Sequence, residues 1–149
     1  MYIPPLESLS RHLALPSLAL ETEQTVQLPA RFLKMLLQLA VAHCDFDEPD
    51  YLAKNPDVKD AVARGEVESG FVHYIGFGYF EGRRGGIPSV DEAWYTKKYP
   101  DIAAAIAAGT IKSASEHFYN IGAAEGRSPN QAYEVEAAQW KKALVGGTK

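Results

Sequence analysis

Apolar residues recur at helical spacing along most of the chain after Pro29, and this pattern predicts a mainly α protein. The first helix of the series is expected at 30–42, where one side carries Arg31, Lys34 and Gln38. The remaining positions form a wide apolar face made of Phe32, Leu33, Leu36, Leu37, Leu39 and Ala40. A helix with such a face is expected to be buried on most of its circumference.

One segment of the chain occurs twice. Residues 46–83 align with residues 90–127 at a single offset of 44 positions and without a gap, so that His73 matches His117. The period is about the length of one helical repeat unit. Because catalytic residues are rarely needed twice in one small chain, the duplication favours two copies of one structural unit in a binding or scaffolding protein.

Each copy is expected to fold as three helices joined by turns. The residues that mark the helix ends are Asp47 and Asp91 as N-caps of the first helix, Pro56 and Pro100 at the start of the second, Gly65 and Gly109 at its end, and Ser69 and Ser113 as N-caps of the third. The third helix is expected to end near the Glu-Gly-Arg of 81–83 and 125–127. The doubled spacing of these signals predicts tandem three-helix repeats.

The chain before the repeats shows a short helix pattern and a short strand pattern. Leu6, Leu9 and Leu13 have the spacing of one apolar helix face, and residues 25–28 alternate polar and apolar ahead of Pro29, as in a strand. A lone strand cannot satisfy its own backbone groups, so it must pair, most simply with the same strand of a second subunit. The predicted dimer seam is Thr25, Val26, Gln27 and Leu28.

The chain after the repeats predicts one more helix, with an apolar face formed by Tyr133, Ala137, Trp140 and Leu144. This helix would cap the repeats, since the end units of a repeat array otherwise expose apolar surface. The expected organisation is a strand-helix dimerisation segment at 1–45, helical repeats at 46–89 and 90–130, and a capping helix with a frayed tail at 131–149.

Composition and charge narrow the class of protein. The chain of 149 residues is 46% hydrophobic and 23% charged, which is ordinary for a globular protein with a buried core. Its net charge of −4 opposes a broad nucleic-acid or acidic-membrane footprint. Prolines interrupt the N-terminus, which lacks a signal-peptide pattern, and the apolar run at 32–42 is too short for a bilayer. We therefore expect a cytoplasmic protein without a membrane span.

The matched histidines are the first candidates for chemistry. His73 and His117 could bind a metal together, but no further ligand motif accompanies them. Structural histidines whose rings bond backbone or carboxylate groups are the favoured interpretation. The single cysteine, Cys44, allows no intrachain disulfide. We expect no metal, no cofactor and no catalytic residues.

The matched arginines and a nearby acidic run offer two further candidate sites. Arg83 and Arg127 could hold an anionic sugar or phosphate, although intramolecular ion pairs with Asp57 and Asp101 are favoured. The acidic run at 45–50 invites a calcium interpretation, but it lacks the glycine of a calcium loop. Helix capping is favoured there.

A dense group of aromatic residues distinguishes the first copy from the second. Its members are Phe71, Tyr74, Phe77, Tyr79 and Phe80. They are too many for one helix face, so we expect part of the group to be exposed, where it would stack on sugar rings or anchor a partner protein. Packing against an N-terminal helix is the equal alternative. The full candidate binding surface adds His73, Arg83, His117 and Arg127.

The frame F-D-x-x-x-Y-L-x-x-N-P-D-V, followed by G-x-x-x-S and H-Y-x-x-x-G-x-x-E-G-R, spans residues 46–83. It resembles a repeat module of bacterial polysaccharide metabolism that stands beside glycosyltransferase domains and in large surface proteins. The second copy departs from the frame at Val90, Thr96 and Phe118. The two copies cover about half of the chain, and the resemblance implies an accessory module without an assigned activity.

A second resemblance concerns residues 25–40, which are similar to the strand-then-helix opening of ribbon-helix-helix regulators and excisionase-like antitoxins. It implies a dimeric DNA-binding regulator, which Glu21 and Glu23 oppose because they would meet phosphates. The leading expectation is a non-enzymatic, homodimeric interaction or regulatory adaptor in bacterial exopolysaccharide or cell-envelope production. A DNA-binding regulator is the alternative, and a carbohydrate-binding module is the third candidate.

Overall fold

The structure is a computed structural model that describes residues 4–15, 25–85 and 89–145. Within these ranges all regular structure is helical, which confirms the prediction of a mainly α protein. The α-helices are α1 (Leu6–Leu13), α2 (Ala30–Val41), α3 (Glu48–Lys54), α4 (Pro56–Ala63), α5 (Gly70–His73), α6 (Glu92–Lys98), α7 (Pro100–Ala107), α8 (Ala114–His117) and α9 (Glu134–Val145). π-Helical segments at Tyr74–Gly78 and Phe118–Gly122 follow α5 and α8. None of the helices in the described ranges is long and apolar enough to cross a membrane.

The chain divides into two compact units. The α2–α5 unit comprises Leu28–Ile87, and the α6–α9 unit comprises Pro88–Lys149 together with Met1–Gln27. The core of the α2–α5 unit is built from Val41, Tyr51, Val58 and Tyr74. The core of the α6–α9 unit is built from Tyr95, Ile102, Ala114 and Phe118. A large aromatic side chain at the centre of each core therefore supplies much of the buried apolar area.

The helices of the two units occupy matched positions in the sequence. The helices α3, α4 and α5 begin and end 44 residues before α6, α7 and α8, and the π-helical segments keep the same offset. Side chains cap these helices where the sequence predicts them. Asp47 and Ser69 accept hydrogen bonds from backbone N–H groups three residues on, as do Asp91 and Ser113.

Glycines with positive φ end the helices. Gly65 and Gly109 follow α4 and α7 with a φ of +72°, which confirms their prediction as helix-ending residues. Gly82 and Gly126 also lie in the left-handed region, with φ of +72° and +71°. They belong to the two Glu-Gly-Arg sequences, where the glycine closes the turn after the π-helical segment.

The third helix of each copy is shorter than predicted. The helix α5 ends at His73, and the chain continues in a wider π-helical turn, in which Tyr79 N donates to Tyr74 O at 2.9 Å. A Cβ on Gly78 would overlap the hydroxyl of Tyr51. The turn therefore needs glycine there, because backbone and tyrosine approach too closely for any side chain.

The N-terminal predictions have a mixed outcome. The short helix predicted near Leu6 is present as α1. The strand predicted at 25–28 is not supported, because these residues form no strand within the described part of the chain. Val26 and Leu28 are half-buried, while Thr25 and Gln27 are exposed. The alternation of polar and apolar residues therefore corresponds to alternating burial along a non-helical segment.

The helix predicted after Pro29 is present as α2, but its burial was predicted wrongly. Val41 is its single buried residue, and most of its large apolar side chains are exposed. The cause is the rotation of the helix about its axis. Lys34 and Gln38 were expected to face solvent. Instead Gln38 donates to Ile75 O in the π-helical segment, and Lys34 lies over the ring of Phe80 in the turn that follows it.

The capping helix is present as α9, but its predicted inner face is only partly correct. Tyr133 and Ala137 are half-buried, whereas Trp140 and Leu144 are exposed. The helix lies against its unit through another face. Glu134 forms an ion pair with Lys98, and the stem of Lys141 lies against Gly126. These polar and long side chains determine the rotation of the helix, which apolar spacing alone did not reveal.

Candidate binding surface

A tyrosine and a histidine form the buried centre of the α2–α5 unit. The Tyr51 hydroxyl and His73 Nδ1 are 3.0 Å apart, and the Tyr51 side chain is fully buried. Burial raises the pKa of the Tyr51 hydroxyl above its usual value, since the charged phenolate would lose its hydration. Gly78 leaves room for this hydroxyl beside the backbone.

The α6–α9 unit repeats this centre. The Tyr95 hydroxyl and His117 Nδ1 are also 3.0 Å apart, and Gly122 leaves room for the hydroxyl. Burial raises the pKa of Tyr95 to about 12. Because His117 is buried as well as Tyr95, this hydrogen bond is the better shielded of the two. Both rings fill a protein core, where they stabilise packing rather than present a reactive group.

The histidine prediction was correct in kind and wrong in the partner. His73 and His117 are structural, but each bonds a tyrosine hydroxyl rather than a backbone or carboxylate group. The partners stand 22 residues apart in both copies, a spacing that no short motif contains. The signal that could have found them is the matched tyrosine, Tyr51 with Tyr95. Within the described ranges no group of three or more metal-binding side chains comes together.

The arginine candidates are held by acidic side chains of their own unit, which confirms the predicted ion pairs. Arg83 Nη2 lies 2.8 Å from Asp57 Oδ2, and its Nε donates to Glu81 at 2.6 Å. The hydrogen bond from Arg83 lowers the pKa of Asp57. Because N–H groups of the Arg83 guanidinium already donate to two carboxylates, an anionic sugar or phosphate would have to displace those carboxylates.

Arg127 is held in the same way in the other unit. Its Nη2 lies 2.8 Å from Asp101 Oδ2, and its Nε donates to Glu125 at 2.6 Å. The guanidinium carbon also lies 4.8 Å from the ring centroid of Tyr99. The hydrogen bond from Arg127 lowers the pKa of Asp101. Both arginines therefore join the Glu-Gly-Arg turn of their unit to the start of a helix, α4 for Arg83 and α7 for Arg127.

One pair of helix-capping carboxylates was not recognised from the sequence. Glu48 accepts a hydrogen bond from Gly70 N at 2.7 Å, and Glu92 accepts from Ala114 N at 2.8 Å and Ser115 N at 2.9 Å. Each carboxylate thus caps the start of the third helix from a distance. Local spacing could not indicate these contacts, because the partners lie 22 or 23 residues away along the chain.

The aromatic group divides into a buried part and an exposed part. Tyr74 is buried, and Phe71 is half-buried with its ring centroid 4.8 Å from that of Phe46. The exposed members are Phe77, Tyr79 and Phe80, with 60%, 40% and 38% of their area accessible. We call these three residues the aromatic surface. The prediction that part of the group is exposed is confirmed.

The rings of the aromatic surface contact other aromatic side chains of the same unit. Tyr79 packs edge-on against buried Tyr74 at 6.1 Å and against Phe80 at 5.2 Å between ring centroids. Phe77 lies 5.8 Å from the ring of His73. Lys34 Nζ of α2 lies 4.8 Å from the centroid of Phe80, so the alternative of packing against an N-terminal helix is met in part. The rings are fixed in place while their outer area faces solvent.

The α6–α9 unit lacks such a surface. The residues at the matched positions are Ile121, Ala123 and Ala124, all exposed. The remaining candidates, His117 and Arg127, belong to that unit and serve its packing. Scans of the chain against protein-family models, curated proteins and solved structures found no match.

Proposed function

We propose that this chain is a non-enzymatic interaction adaptor that binds a partner protein through the aromatic surface. One observation carries the proposal: at three matched exposed positions one unit presents Phe77, Tyr79 and Phe80, where the other has Ile121, Ala123 and Ala124. Internal packing does not require these rings to be large, since the other unit keeps its core with Ile121, Ala123 and Ala124.

The energetics of such a surface favour protein binding. Phenylalanine and tyrosine are enriched in the cores of protein interfaces, and an anchor of this type contributes about 2 kcal/mol or more when it fills a pocket. The contacts of Tyr79 with Tyr74 and Phe80 restrict the rings before binding. Less conformational entropy is then lost when a partner orders them.

We propose a non-enzymatic role because the side chains that were candidates for chemistry already form hydrogen bonds within the protein. His73 Nδ1 is bonded to Tyr51, and the Arg83 guanidinium is bonded to Asp57 and Glu81. These side chains are committed to helix and core contacts. A cytoplasmic location and a role in bacterial exopolysaccharide or cell-envelope production complete the proposal, and they rest on the sequence pattern and on the resemblance of 46–83 alone.

The test is capture of a partner from a lysate of the source cells, followed by measurement with the purified partner. The variant Tyr79→Ala/Phe80→Ala gives the first unit the side chains that the second unit already carries at the matched positions. We expect the captured protein to bind the wild-type chain directly and to lose at least tenfold in affinity to this variant. The control Ala123→Ser/Ala124→Ser changes the matched exposed positions and should leave the affinity unchanged.

Two results would contradict the proposal. Equal affinity of the wild type and the Tyr79→Ala/Phe80→Ala variant would place the interface elsewhere. Binding of a glycan array by the wild type, lost in the same variant and without any protein partner, would favour the carbohydrate-binding alternative. The DNA-binding alternative rests on the resemblance of residues 25–40 alone, and residues 25–28 form no strand within the described part of the chain.

A further inference from the structure

Two rings of the aromatic surface stand at right angles to each other. The planes of Tyr79 and Phe80 are 87° apart, and their centroids are separated by 5.2 Å. The exposed faces of the pair therefore point in different directions, and the pair offers no flat platform of two coplanar rings for stacking. Such an arrangement fits a compact apolar side chain, which can contact the face of one ring and the edge of the other.

An exposed lysine of α2 adjoins this pair of rings. Lys34 Nζ lies 4.8 Å from the ring centroid of Phe80. Within residues 4–15, 25–85 and 89–145, the ammonium group of Lys34 forms no ion pair with a carboxylate. A lysine ammonium has three N–H donors, and contact with a ring face leaves donors that point away from the ring. Lys34 can therefore bind a carboxylate that approaches together with an apolar side chain.

The charges next to the aromatic surface favour an acidic partner. Glu81, which follows Phe80 in the chain, accepts from Arg83 Nε at 2.6 Å, so its charge is balanced within the unit. Arg31 is exposed and precedes Lys34 by three residues, which places both cations on the same side of α2. The helix contains no acidic residue that would offset them. This side of the unit therefore attracts a negatively charged segment and repels a basic one.

We propose that the aromatic surface recognises an acidic peptide segment of its partner protein. An apolar side chain of that segment contacts Tyr79 and Phe80, and a neighbouring aspartate or glutamate pairs with Lys34. The inference rests on the proposed function, since it names the chemistry of the partner at the same surface. Lys34 and Tyr79 both lie close to Phe80, and an extended peptide advances about 3.3–3.6 Å a residue. The acidic residue therefore stands within about three residues of the apolar one.

The rings and the lysine have different tasks in this recognition. Aromatic anchors supply most of the binding energy of an interface. An exposed ion pair adds little affinity, but a charge of the wrong sign opposite Lys34 would be repelled. The rings therefore determine how tightly a peptide binds, and Lys34 determines which apolar peptides are accepted.

Selection of peptides from a random library displayed on phage tests the proposal. The library is first depleted on the Tyr79→Ala/Phe80→Ala variant and then selected on the full wild-type chain. We expect enriched peptides to carry a large apolar residue with aspartate or glutamate within about three positions, and to be poor in lysine and arginine. A parallel selection on Lys34→Glu should lose this preference for acidic residues.

Fluorescence anisotropy with a synthetic copy of an enriched peptide then measures the contribution of Lys34. We expect Lys34→Glu to weaken binding about fivefold, the modest effect of an exposed pair, and Lys34→Gln to weaken it less. The control Lys59→Glu makes the same charge change at an exposed position of α4 and should bind as the wild type does. Replacement of the acidic residue of the peptide by lysine should weaken binding to the wild type and restore binding to Lys34→Glu. Circular dichroism of each variant checks that the helices are retained.

The outcomes separate this inference from the proposed function. Peptides that bind the wild type and Tyr79→Ala/Phe80→Ala equally would contradict both. Peptides that need the two rings but lack acidic residues, or bind Lys34→Glu as tightly as the wild type, would overturn the acidic partner and leave the aromatic surface as the interface. Failure to enrich any peptide would also overturn it, while capture of a partner from a lysate would still test the proposed function. Binding of polygalacturonate, a polymer of acidic sugars, in place of acidic peptides would assign the surface to a glycan instead.

Discussion

In the α2–α5 unit the Tyr51 hydroxyl meets His73, and in the α6–α9 unit the Tyr95 hydroxyl meets His117, at 3.0 Å in both. Arg83 pairs with Asp57 in one unit, as Arg127 pairs with Asp101 in the other. A glutamate, Glu48 or Glu92, accepts a hydrogen bond from the backbone at the start of α5 or α8. At exposed positions of the π-helical segment and the turn after it, one unit presents the aromatic surface and the other has Ile121, Ala123 and Ala124. The packing of each unit therefore requires the same interior contact between a tyrosine and a histidine. The exposed side chains are not constrained in this way and can differ in binding.

The first prediction breaks the shared interior and has the largest expected effect. Gly78→Ala and Gly122→Ala each place a Cβ too close to the hydroxyl of a fully buried tyrosine, so that one of the two groups must shift. We expect each to destabilise its own unit by about 1–3 kcal/mol, the range of overpacked cores. Urea unfolding measures the loss. Trp94 and Trp140 both lie in the α6–α9 unit, so tryptophan fluorescence follows that unit and circular dichroism follows both.

Gly76→Ala is the matched control for Gly78→Ala. A Cβ at Gly76 would meet nothing within 4 Å, and the matched position of the second unit is Asn120. We expect no loss of stability from this change. Equal effects of Gly76→Ala and Gly78→Ala would show that general helix propensity, and not the tyrosine contact, requires glycine here.

The second prediction compares the tyrosine–histidine hydrogen bonds of the two units, which differ in how deeply the histidine is buried. Tyr95→Phe leaves the ring of buried His117 without its partner, and we expect a loss of about 1–2 kcal/mol from the α6–α9 unit. Tyr51→Phe should cost less, because His73 is only half-buried and water can replace the hydroxyl. Urea unfolding of both variants, followed by circular dichroism, gives the two free-energy changes. A larger loss from Tyr51→Phe would contradict this account.

Local signals in the sequence predicted much of the fold, and partners distant in the chain explain what they missed. Asp47 and Gly65 mark helix ends because a cap or a positive φ is a property of a few neighbouring residues. The bond between Tyr51 and His73 depends on how three helices pack. Apolar spacing in α2 identified an apolar face but not what covers it, and a contact such as that of Lys34 with Phe80 reverses the face that points inward.

The third prediction sharpens the difference between the outer surfaces. Tyr79→Ala/Phe80→Ala removes rings that are already largely solvent-exposed, so we expect the α2–α5 unit to lose only about 0.5–1 kcal/mol in urea unfolding. The edge contact of Tyr79 with Tyr74 accounts for most of this loss. A loss above about 2 kcal/mol would mean that the rings serve the core, and the argument for a binding surface would fail.

The last prediction concerns acid, and it has the smallest expected effect. Although burial acts to raise the pKa of Glu92, hydrogen bonds from Ser115 and Ala114 hold it below its usual value of 4.5. A carboxylate with a lowered pKa in the folded state stabilises the fold above pH 4.5, and this stabilisation is lost as the pH falls below that value. Glu92→Gln should therefore weaken the α6–α9 unit at pH 7 and flatten its loss of stability below pH 4.5. Tryptophan-detected urea unfolding across this range checks the slope, and Glu136→Gln, at an exposed position of α9, should retain the wild-type acid dependence. An unchanged slope in Glu92→Gln would show that the carboxylate caps the third helix without any linkage to protonation.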